Sequence, residues 1–245
     1  MKTFIIGDIH GGYNALVELM EKVPYTSSDR FIFIGDLVDG WSDSARVIQF
    51  LMEFSSEYDC IFIKGNHDEW CQRWLKNGWT SEIWLANGGQ ETIDSYQSFS
   101  EEVKQSHFEF FNNMEEYFVD EHNNLFIHAG FTSRKGPQSE HYTSNYRWDR
   151  TLWEMALSID PSIQTYSAYY PERLKLFKEI FIGHTPTTNY NSIDFPMHRA
   201  NVWNVDTGAA FKGKISCLQL DTKSYYQSKP VFEYYPDEKG RNKNQ

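Results

Sequence analysis

The sequence contains few cysteines and no long apolar run. Its three cysteines, Cys60, Cys71 and Cys217, are an odd number without the spacing of a metal site, so we expect free thiols in a reducing compartment. No run of eighteen apolar residues exists, and Met1-Lys2-Thr3 leads directly into strand-like residues without the features of a secretion signal. These absences predict a soluble, cytoplasmic protein without a membrane partner.

Basic residues are also scarce. Lys and Arg number 23 against 34 Asp and Glu, which gives a formal net charge of −11. Because nucleic acids are bound by clustered lysines and arginines, this charge argues against a nucleic-acid partner. An acidic protein can still bind a phosphate ester when metal ions supply the positive charge. The composition gives no indication of an oligomeric state.

The first seventy residues alternate apolar segments with amphipathic ones. The unbroken run Phe31–Ile34 is typical of a strand buried on both faces, as in a parallel sheet. We predict three strands and three helices, with strands at about 2–6, 31–34 and 60–64 and helices at about 13–23, 42–54 and 65–74. This alternation with short connections indicates an α/β protein whose N-terminal half is β-α-β-α-β.

The rest of the chain is expected to be less regular. We predict a helix, a hairpin and three late strands at 101–114, 117–127, 202–205, 215–220 and 231–235. Residues 131–170 are rich in Trp, Tyr, Ser and Pro, and this length suggests a functional excursion on the substrate side. We expect one domain over residues 1–235 and a frayed, charged tail over 236–245.

Side chains that bind metals stand at the ends of five predicted strands. They are Asp8 and His10, Asp36 and Asp39, Asn66 and His67, His128, and His184. One histidine in such a place is usually a hydrogen-bonded core residue, but five coincidences favour chemistry. Carboxylate, imidazole and amide ligands together suit Mn, Fe or Zn better than Ca or Mg. Since one ion does not need so many ligands, we predict a dinuclear centre with a shared carboxylate.

Other conspicuous side chains are expected to be structural. The tryptophans at 70, 74, 79 and 84 lack interleaved basic residues and are expected to pack rather than to stack on bases. Four further histidines do not follow a predicted strand and are expected at the surface: His107, His122, His141 and His198.

Six short motifs occur in a fixed order along most of the chain. They are Gly7-Asp8-Ile9-His10-Gly11, Gly35-Asp36-Leu37-Val38-Asp39, Gly65-Asn66-His67-Asp68, His128-Ala129-Gly130, Gly183-His184-Thr185-Pro186 and Asp206-Thr207-Gly208. This ordered set resembles the calcineurin-like metallophosphoesterases, in particular the bacterial and phage members of the Ser/Thr protein phosphatase group. The resemblance implies a metallophosphoesterase-type sandwich of two β-sheets flanked by helices. It also implies two divalent metal ions, with manganese preferred over iron or zinc.

The resemblance assigns a role to each of these residues. The first ion would be held by Asp8, His10 and Asp36, and the second by Asp36, Asn66, His128 and His184. Asp36 would then bridge the two ions, and Asn66 would also contact substrate. A hydroxide formed at the ions would attack phosphorus while His67, oriented by Asp39, protonates the leaving group.

One position departs from the family pattern. Family members usually carry an arginine after the second aspartate, whereas this chain has Gly40 followed by Trp41. The missing guanidinium would clamp the substrate phosphate, an interaction of roughly 1.5–3 kcal/mol. Related bacterial proteins supply such a group from a Trp-x-Arg segment, which points to Arg150 and, beside it, Arg147. Stacking on Trp148 or pairing with an acid is an equally reasonable role for these arginines.

Two classes of function are compatible with these motifs. The first is a phosphomonoester hydrolase acting on phosphoserine or phosphothreonine proteins or on small phosphorylated compounds, which Thr185-Pro186 after His184 favours. Its variant is a dinucleoside polyphosphate hydrolase, for example of diadenosine tetraphosphate, since Gly65-Asn66-His67-Asp68 also occurs in that relative. The second class, a catalytically inactive binding module, is opposed by the intact ligand set.

Overall fold

Two β-sheets of five strands each lie face to face in the computed structural model, which describes residues 1–242. The first sheet contains strands from both ends of the chain, and the second contains strands from its middle and later parts. The ten strands are β1 (Thr3–Ile6), β2 (Arg30–Phe33), β3 (Asp59–Phe62), β4 (Tyr117–Val119), β5 (Leu125–Ile127), β6 (Ile180–Ile182), β7 (Met197–Arg199), β8 (Val202–Asn204), β9 (Ser216–Gln219) and β10 (Tyr225–Gln227).

Helices flank the sheets. They are α1 (Tyr13–Lys22), α2 (Ser44–Ser55), α3 (Asn66–Asn77), α4 (Glu82–Trp84), α5 (Gln90–Ser95), α6 (Glu101–Asn112), α7 (Asn145–Trp148), α8 (Thr151–Ser158) and α9 (Glu172–Lys175). The predicted β-α-β-α-β half is therefore present as β1-α1-β2-α2-β3, with bounds within two residues of those expected at most ends. Every helix in the described part of the chain is too short or too polar to cross a bilayer.

The strand order brings parallel strands to the centre of each sheet. The first sheet has the order β10-β9-β1-β2-β3, in which β1, β2 and β3 are parallel, β9 is antiparallel to β1, and β10 is antiparallel to β9. The second has the order β4-β5-β6-β8-β7, in which β5, β6 and β8 are parallel. Because parallel strands end at the same edge of a sheet, the loops after each of these strands line one edge.

The apolar core has three layers, which explains the unbroken apolar run in β2. Phe31 and Phe33 point toward the helices, where they join a cluster with residues of α1 and α2. Ile32 points the other way, into the space between the sheets, where it joins Phe126 of β5 and Phe181 of β6. Both faces of the strand are thus buried, so alternation with polar residues is absent.

The predicted strand at 231–235 is wrong. Residues Val231–Tyr234 form a 3₁₀ turn, and the last described strand is β10, which pairs with β9 on the side away from β1. The turn begins after Pro230, which has no N–H to offer a strand ladder. Val231 and Tyr235 are buried against the helical side of the first sheet, so their apolar character reflects packing rather than pairing.

The expectation of a frayed tail is wrong for residues 236–242. Glu238 accepts hydrogen bonds from the backbone N–H of Ser42, at 3.0 Å, and from its hydroxyl, at 2.6 Å. The backbone N–H of Arg241 donates to the carbonyl of Ala210 at 2.9 Å. Although the segment is charged and polar, these hydrogen bonds fix it to the body of the protein. The last three residues of the predicted tail lie outside the described part of the chain.

Candidate metal centre

The polar residues at the strand ends converge on one buried site. All eight are buried, namely Asp8, His10, Asp36, Asp39, Asn66, His67, His128 and His184. They follow β1, β2, β3, β5 and β6, whose carboxyl ends share an edge of the two sheets. Two sets of potential ligand atoms each lie within 4.8 Å of one another: those of His10, Asp36 and His67, and those of Asp36, His128 and His184.

Asp36 connects the two sets. Its Oδ2 lies 3.7 Å from Nε2 of His10, and its Oδ1 lies 3.4 Å from Nε2 of His128. Asp8 extends the first set, since its Oδ2 is 3.8 Å from the same nitrogen of His10. A carboxylate with one oxygen facing each set has the position that a bridging ligand requires.

Asn66 extends the second set. Its Oδ1 lies 3.3 Å from Nε2 of His128 and 3.0 Å from Nδ1 of His184. Nε2 of His184 is buried and has no hydrogen-bond partner among the described residues. The four residues that the sequence assigns to a second ion are therefore in contact, with one imidazole nitrogen left for a ligand.

Four site residues have strained backbones. His10, Asp36, Asp39 and His184 have φ values of 54°, 51°, 71° and 68°, in the left-handed region that residues with a β-carbon seldom occupy. Such conformations cost on the order of 1–3 kcal/mol each and cluster at functional sites. At Gly183 the constraint is close approach, because a β-carbon there would overlap Oδ1 of Asp8. The backbone of these loops thus adopts conformations that point the site's side chains toward one another.

Asp68 supports the centre from beneath, a role that the sequence analysis did not assign. Its carboxylate accepts backbone N–H bonds from Gly65 and Asp36 at 2.8 Å and from Leu37 at 2.9 Å. It thereby joins the loop after β2 to the start of α3. Burial raises the pKa of Asp68 to about 7. The aspartate that ends the motif Gly65-Asn66-His67-Asp68 is a structural part of the site.

His67 and Asp39 form a buried pair, as the resemblance implies. Nδ1 of His67 lies 2.7 Å from Oδ2 of Asp39. The same oxygen accepts from the indole N–H of Trp84 at 2.7 Å, and Oδ1 accepts from the hydroxyl of Thr92 at 2.6 Å. Trp84 and Thr92 were not predicted as site residues, and Trp84 was expected only to pack. Together they fix the carboxylate that orients His67.

Burial acts against both charges of this pair. It lowers the pKa of His67 to about 3 and raises the pKa of Asp39 to about 8. The pair therefore retains one proton at neutral pH, and the 2.7 Å contact allows that proton to lie on either partner. The expected stabilisation of protonated His67 by Asp39 is thus opposed by the burial of the pair.

The donor set fits divalent cations. Burial, with the nearby charges of Asp206 and Asp36, holds the pKa of Asp8 well above its usual range, and burial raises that of Asp206 to about 6. These carboxylates crowd into a site with few counter-charges, which is costly unless cations are present. Burial also keeps the pKa values of His10 and His184 well below the usual range, which favours the neutral imidazoles that bind metals.

The two candidate arginines occupy different environments. Arg147 is buried and forms ion pairs with Glu69, at 3.0 Å from Nε, and with Glu116. Its guanidinium is committed to these acids, so the structure disagrees with its predicted role in substrate binding. Arg150 is exposed at the start of α8, and its charge is one of those that, after burial and His128, lower the pKa of His184. Only Arg150 of the two remains free to meet a substrate.

An aromatic rim borders the His184 side of the centre. Trp148, at the end of α7, is 41% exposed, and its ring centroid lies 6.0 Å from that of His184 and 5.1 Å from that of Trp70. Trp70 in turn lies 5.0 Å from His67. The predicted excursion at 131–170 therefore places an open indole face beside the site.

The expectation for His107 is wrong. The side chain is buried, its Nδ1 lies 2.9 Å from the hydroxyl of Tyr96, and its Nε2 lies 3.2 Å from Oε1 of Gln49. These contacts connect α6 with α2 and with the residue that follows α5. His107 is a core residue remote in sequence from the strand ends, so its burial depends on tertiary packing.

A family model described as calcineurin-like phosphoesterase matches residues 1–211. The chain belongs to the calcineurin-like phosphoesterase family. This match confirms the family that the ordered motifs resemble, and the two five-stranded sheets confirm the predicted fold. The family consists of metallophosphoesterase hydrolases that use a dinuclear divalent metal centre, which the two His and Asp sets of this chain could hold.

The similar proteins carry different functional names. Over 254 residues the chain is 28% identical to the asymmetrical bis(5'-nucleosyl)-tetraphosphatase PrpE of Bacillus mycoides (strain KBAB4), covering 94% of this chain and 96% of the relative. A solved candidate diadenosine tetraphosphatase has a TM-score of 0.61, 16% identity and 92% coverage of each chain. A protein serine/threonine phosphatase of Saccharomyces cerevisiae has the same TM-score at 14% identity, covering 94% of this chain and 83% of its own. These two structures show similarity of fold alone.

Removal of metal is expected to lower thermal stability. An ion that binds only the folded state stabilises it by about 2.7 kcal/mol at a hundredfold excess over its Kd, or roughly 5–10 °C in Tm for a chain of this size. Calorimetry should show Tm falling after chelation with EDTA and recovering on addition of Mn²⁺. Asp36→Ala, which removes the shared carboxylate, should abolish the response to Mn²⁺. A Tm that ignores both chelation and Mn²⁺ would contradict the assignment of the centre.

Trp84→Phe is expected to lower kcat about tenfold on an alkyl phosphate while metal content is unchanged. The substitution keeps an aromatic ring but removes the N–H bond to Asp39, and a hydrogen bond to a charged group is worth about 1.5–3 kcal/mol. The matched control is Trp79→Phe, since Trp79 stacks on Trp84 with centroids 6.1 Å apart. Equal kcat values for both variants and wild type would remove Trp84 from the site.

Proposed function

We propose that this protein is an asymmetrical dinucleoside polyphosphate hydrolase, which cleaves diadenosine tetraphosphate or a similar compound to a nucleoside monophosphate and a nucleoside triphosphate. The observation that carries the proposal is the similarity, over nearly the whole of both chains, to the Bacillus mycoides relative of that name. The three thiols are free, and Cys71 and Cys217 are buried, which supports a cytoplasmic location as part of this proposal.

The proposed centre holds two ions. Asp8, His10 and Asp36 would hold the first, and Asp36, Asn66, His128 and His184 the second. We propose manganese, with iron or zinc as alternatives, because imidazole and carboxylate donors occur together. When bound, such ions polarise the phosphoryl group and acidify water. Asn66, whose amide lies between the two imidazoles of the second set, is also a proposed substrate contact.

His67 is the proposed proton donor. Water adds to phosphorus and releases a proton to solvent, and the bond between phosphorus and the bridging oxygen breaks. Where the departing oxygen is strongly basic, as in an alkyl phosphate, the His67–Asp39 pair donates its proton to that oxygen and then regains one from solvent. Asp39 is held in place by Trp84 and Thr92, so it orients the imidazole. The first set of ligand atoms includes a nitrogen of His67, so the alternative role for His67 is that of a metal ligand.

Trp148 offers a binding surface for one base of the substrate. Aromatic side chains stack on nucleobases with about 1–3 kcal/mol per base. A base stacked on Trp148 would lie beside His184, because the two rings are 6.0 Å apart. The phosphate nearest that nucleoside would then reach the ions first. Attack at this phosphorus produces the asymmetrical products.

A second candidate is hydrolysis of phosphomonoesters, including phosphoserine and phosphothreonine. It is favoured by Thr185-Pro186 after His184, a pairing that resembles the protein phosphatases of the family. The same centre would serve both reactions, since each is attack on phosphorus with departure of an oxygen. The candidates differ in what surrounds the phosphate.

A substrate panel with Mn²⁺ tests the proposed function. The protein should convert diadenosine tetraphosphate to AMP and ATP, measured by chromatography, with a higher kcat/KM than for p-nitrophenyl phosphate or a phosphoserine peptide. Trp148→Ala should raise KM for the dinucleotide about tenfold and leave p-nitrophenyl phosphate nearly unchanged. Tyr142→Ala, another exposed aromatic of the same excursion, is the control. Preference for the phosphopeptide would favour the second candidate, and no turnover of any substrate would favour an inactive binding module.

His67→Asn separates the two roles of the imidazole. As a proton donor, His67 matters most for poor leaving groups, so kcat should fall by roughly 10²–10⁴ on an alkyl phosphate. The loss should be smaller for diadenosine tetraphosphate and p-nitrophenyl phosphate, whose leaving groups are stable anions. Metal content, measured by mass spectrometry, should stay at the wild-type value. Loss of one ion per protein would instead assign His67 as a ligand.

A further inference from the structure

The loop after β2 has Gly40 at the position where family members usually carry an arginine. Gly40 has a φ of 119°, a conformation that favours glycine, and it directly follows Asp39. A β-carbon placed on Gly40 would lie 3.6 Å from Cβ of His10 and 3.6 Å from Cγ of Arg241. The side chain of Arg241 therefore runs through the space beside Gly40, within reach of the first set of ligand residues.

The C-terminal segment is fixed to this same loop. Trp41 stacks on Tyr235 with ring centroids 5.3 Å apart, and Ser42 is bonded to Glu238. The backbone N–H of Arg241 donates to the carbonyl of Ala210. Trp41 and Ser42 directly follow Gly40, so these contacts hold the C-terminal segment beside the position where the arginine is missing.

The guanidinium of Arg241 is held in place by its neighbours, but several of its N–H donors have no partner among the described residues. Its Nη2 donates to Oδ1 of Asn87 at 2.9 Å, and its Cζ lies 5.3 Å from the ring centroid of Phe211. Its Nε is buried without a hydrogen-bond partner, and no carboxylate within residues 1–242 lies at ion-pair distance from it. An arginine has five N–H donors, so most of them are available to a ligand.

The charge of Arg241 reaches the site. After burial and the charges of neighbouring site residues, it is among the causes that lower the pKa values of His10 and His67. Arg150 has the corresponding effect on His184, on the other flank. The charge of Arg241 thus acts on residues of the first ligand set, and that of Arg150 on a residue of the second.

We propose that Arg241 binds a phosphate group of the substrate, in place of the arginine that is missing at position 40. This inference rests on the proposed phosphoester hydrolysis at the metal centre. Its physical basis is a cationic, planar donor with unused N–H groups, held against the loop that carries Asp39. The ligand class is a phosphate or polyphosphate anion, which guanidinium recognises through paired hydrogen bonds.

Direct binding of inorganic phosphate tests this role without turnover. Isothermal titration calorimetry on the metal-loaded protein should show affinity for phosphate falling about ten- to a hundredfold in Arg241→Ala, the range expected for one charge-assisted interaction. Lys239→Ala is the matched control, since it removes an exposed positive charge from the same tail, and it should bind like wild type. Equal phosphate affinity in Arg241→Ala and wild type would overturn the proposal.

A second variant separates binding from folding. Arg241→Gln can keep the bond to Asn87 but removes the charge, so it should retain the wild-type Tm and metal content while losing phosphate affinity. If its phosphate affinity matches wild type at an unchanged Tm, Arg241 has a structural role only. Added guanidinium at millimolar concentration should partly restore phosphate binding to Arg241→Ala, and failure to do so with a folded, metal-loaded variant would count against a direct contact.

The outcome is independent of the nucleotide substrate. If the protein fails to cleave diadenosine tetraphosphate but Arg241→Ala still weakens phosphate binding, the proposed substrate is wrong and the role of Arg241 stands. If the dinucleotide is cleaved and phosphate affinity is unaffected by the variant, the role of Arg241 is wrong and the proposed substrate stands.

Discussion

The structure depends on a concentration of negative charge buried at one edge of two sheets. Five carboxylates are each at most 2% exposed: Asp8, Asp36, Asp39, Asp68 and Asp206. A buried ion costs several kcal/mol unless it is paired. Asp68 is satisfied by three backbone N–H groups, and Asp39 by Trp84, Thr92 and His67. Despite its burial, Asp36 has a pKa well below the usual range because of the charges of His128, His67 and His10. Asp8 and Asp206 accept backbone N–H bonds from His184 and Gly208, but their pKa values stay raised by burial. Bound cations at this edge would therefore stabilise the ionised form of Asp8 and Asp206.

The need to place these side chains around cations also explains the strained backbone. The φ values of His10 and Asp36 turn their side chains into the space between the loops, where regular strand geometry would point them along the sheet faces. The strain is offset locally, because the carbonyl of Asp36 accepts the N–H groups of Ile9 and His10 at 3.0 Å each. A bound cation would offset it further. The strained backbone, the buried carboxylates and the binding of metal ions therefore depend on one another.

Much of this site could be predicted from the sequence because its residues are placed by local rules. Asp8, Asn66 and His128 stand within three residues of the end of an apolar segment, so the strand ends fix their positions. Trp84 and Thr92 could not be predicted, since they lie 45 and 53 residues from the carboxylate that they bond. The same holds for the tail, where Arg241 meets Asn87 across 154 residues. The mistaken strand at 231–235 has a related cause, because burial of Val231 and Tyr235 mimics the apolar pattern of a strand.

The distribution of arginines bears on the substrate. Arg147 is neutralised by Glu69 and Glu116, so the guanidiniums left for a ligand in the described part of the site stand on its two flanks, Arg150 beside His184 and Arg241 beside His10. A phosphomonoester concentrates its charge on one group and needs one such cation. A polyphosphate spreads its charge along a chain, and it gains from cations at both ends of the centre. Trp148, like Arg150, lies on the His184 side of the centre. If a nucleoside stacked on Trp148, its phosphate chain could extend past the metal ligands toward Arg241. In that orientation the bond to be cleaved would lie next to the bound nucleoside, as the proposed asymmetrical hydrolysis requires.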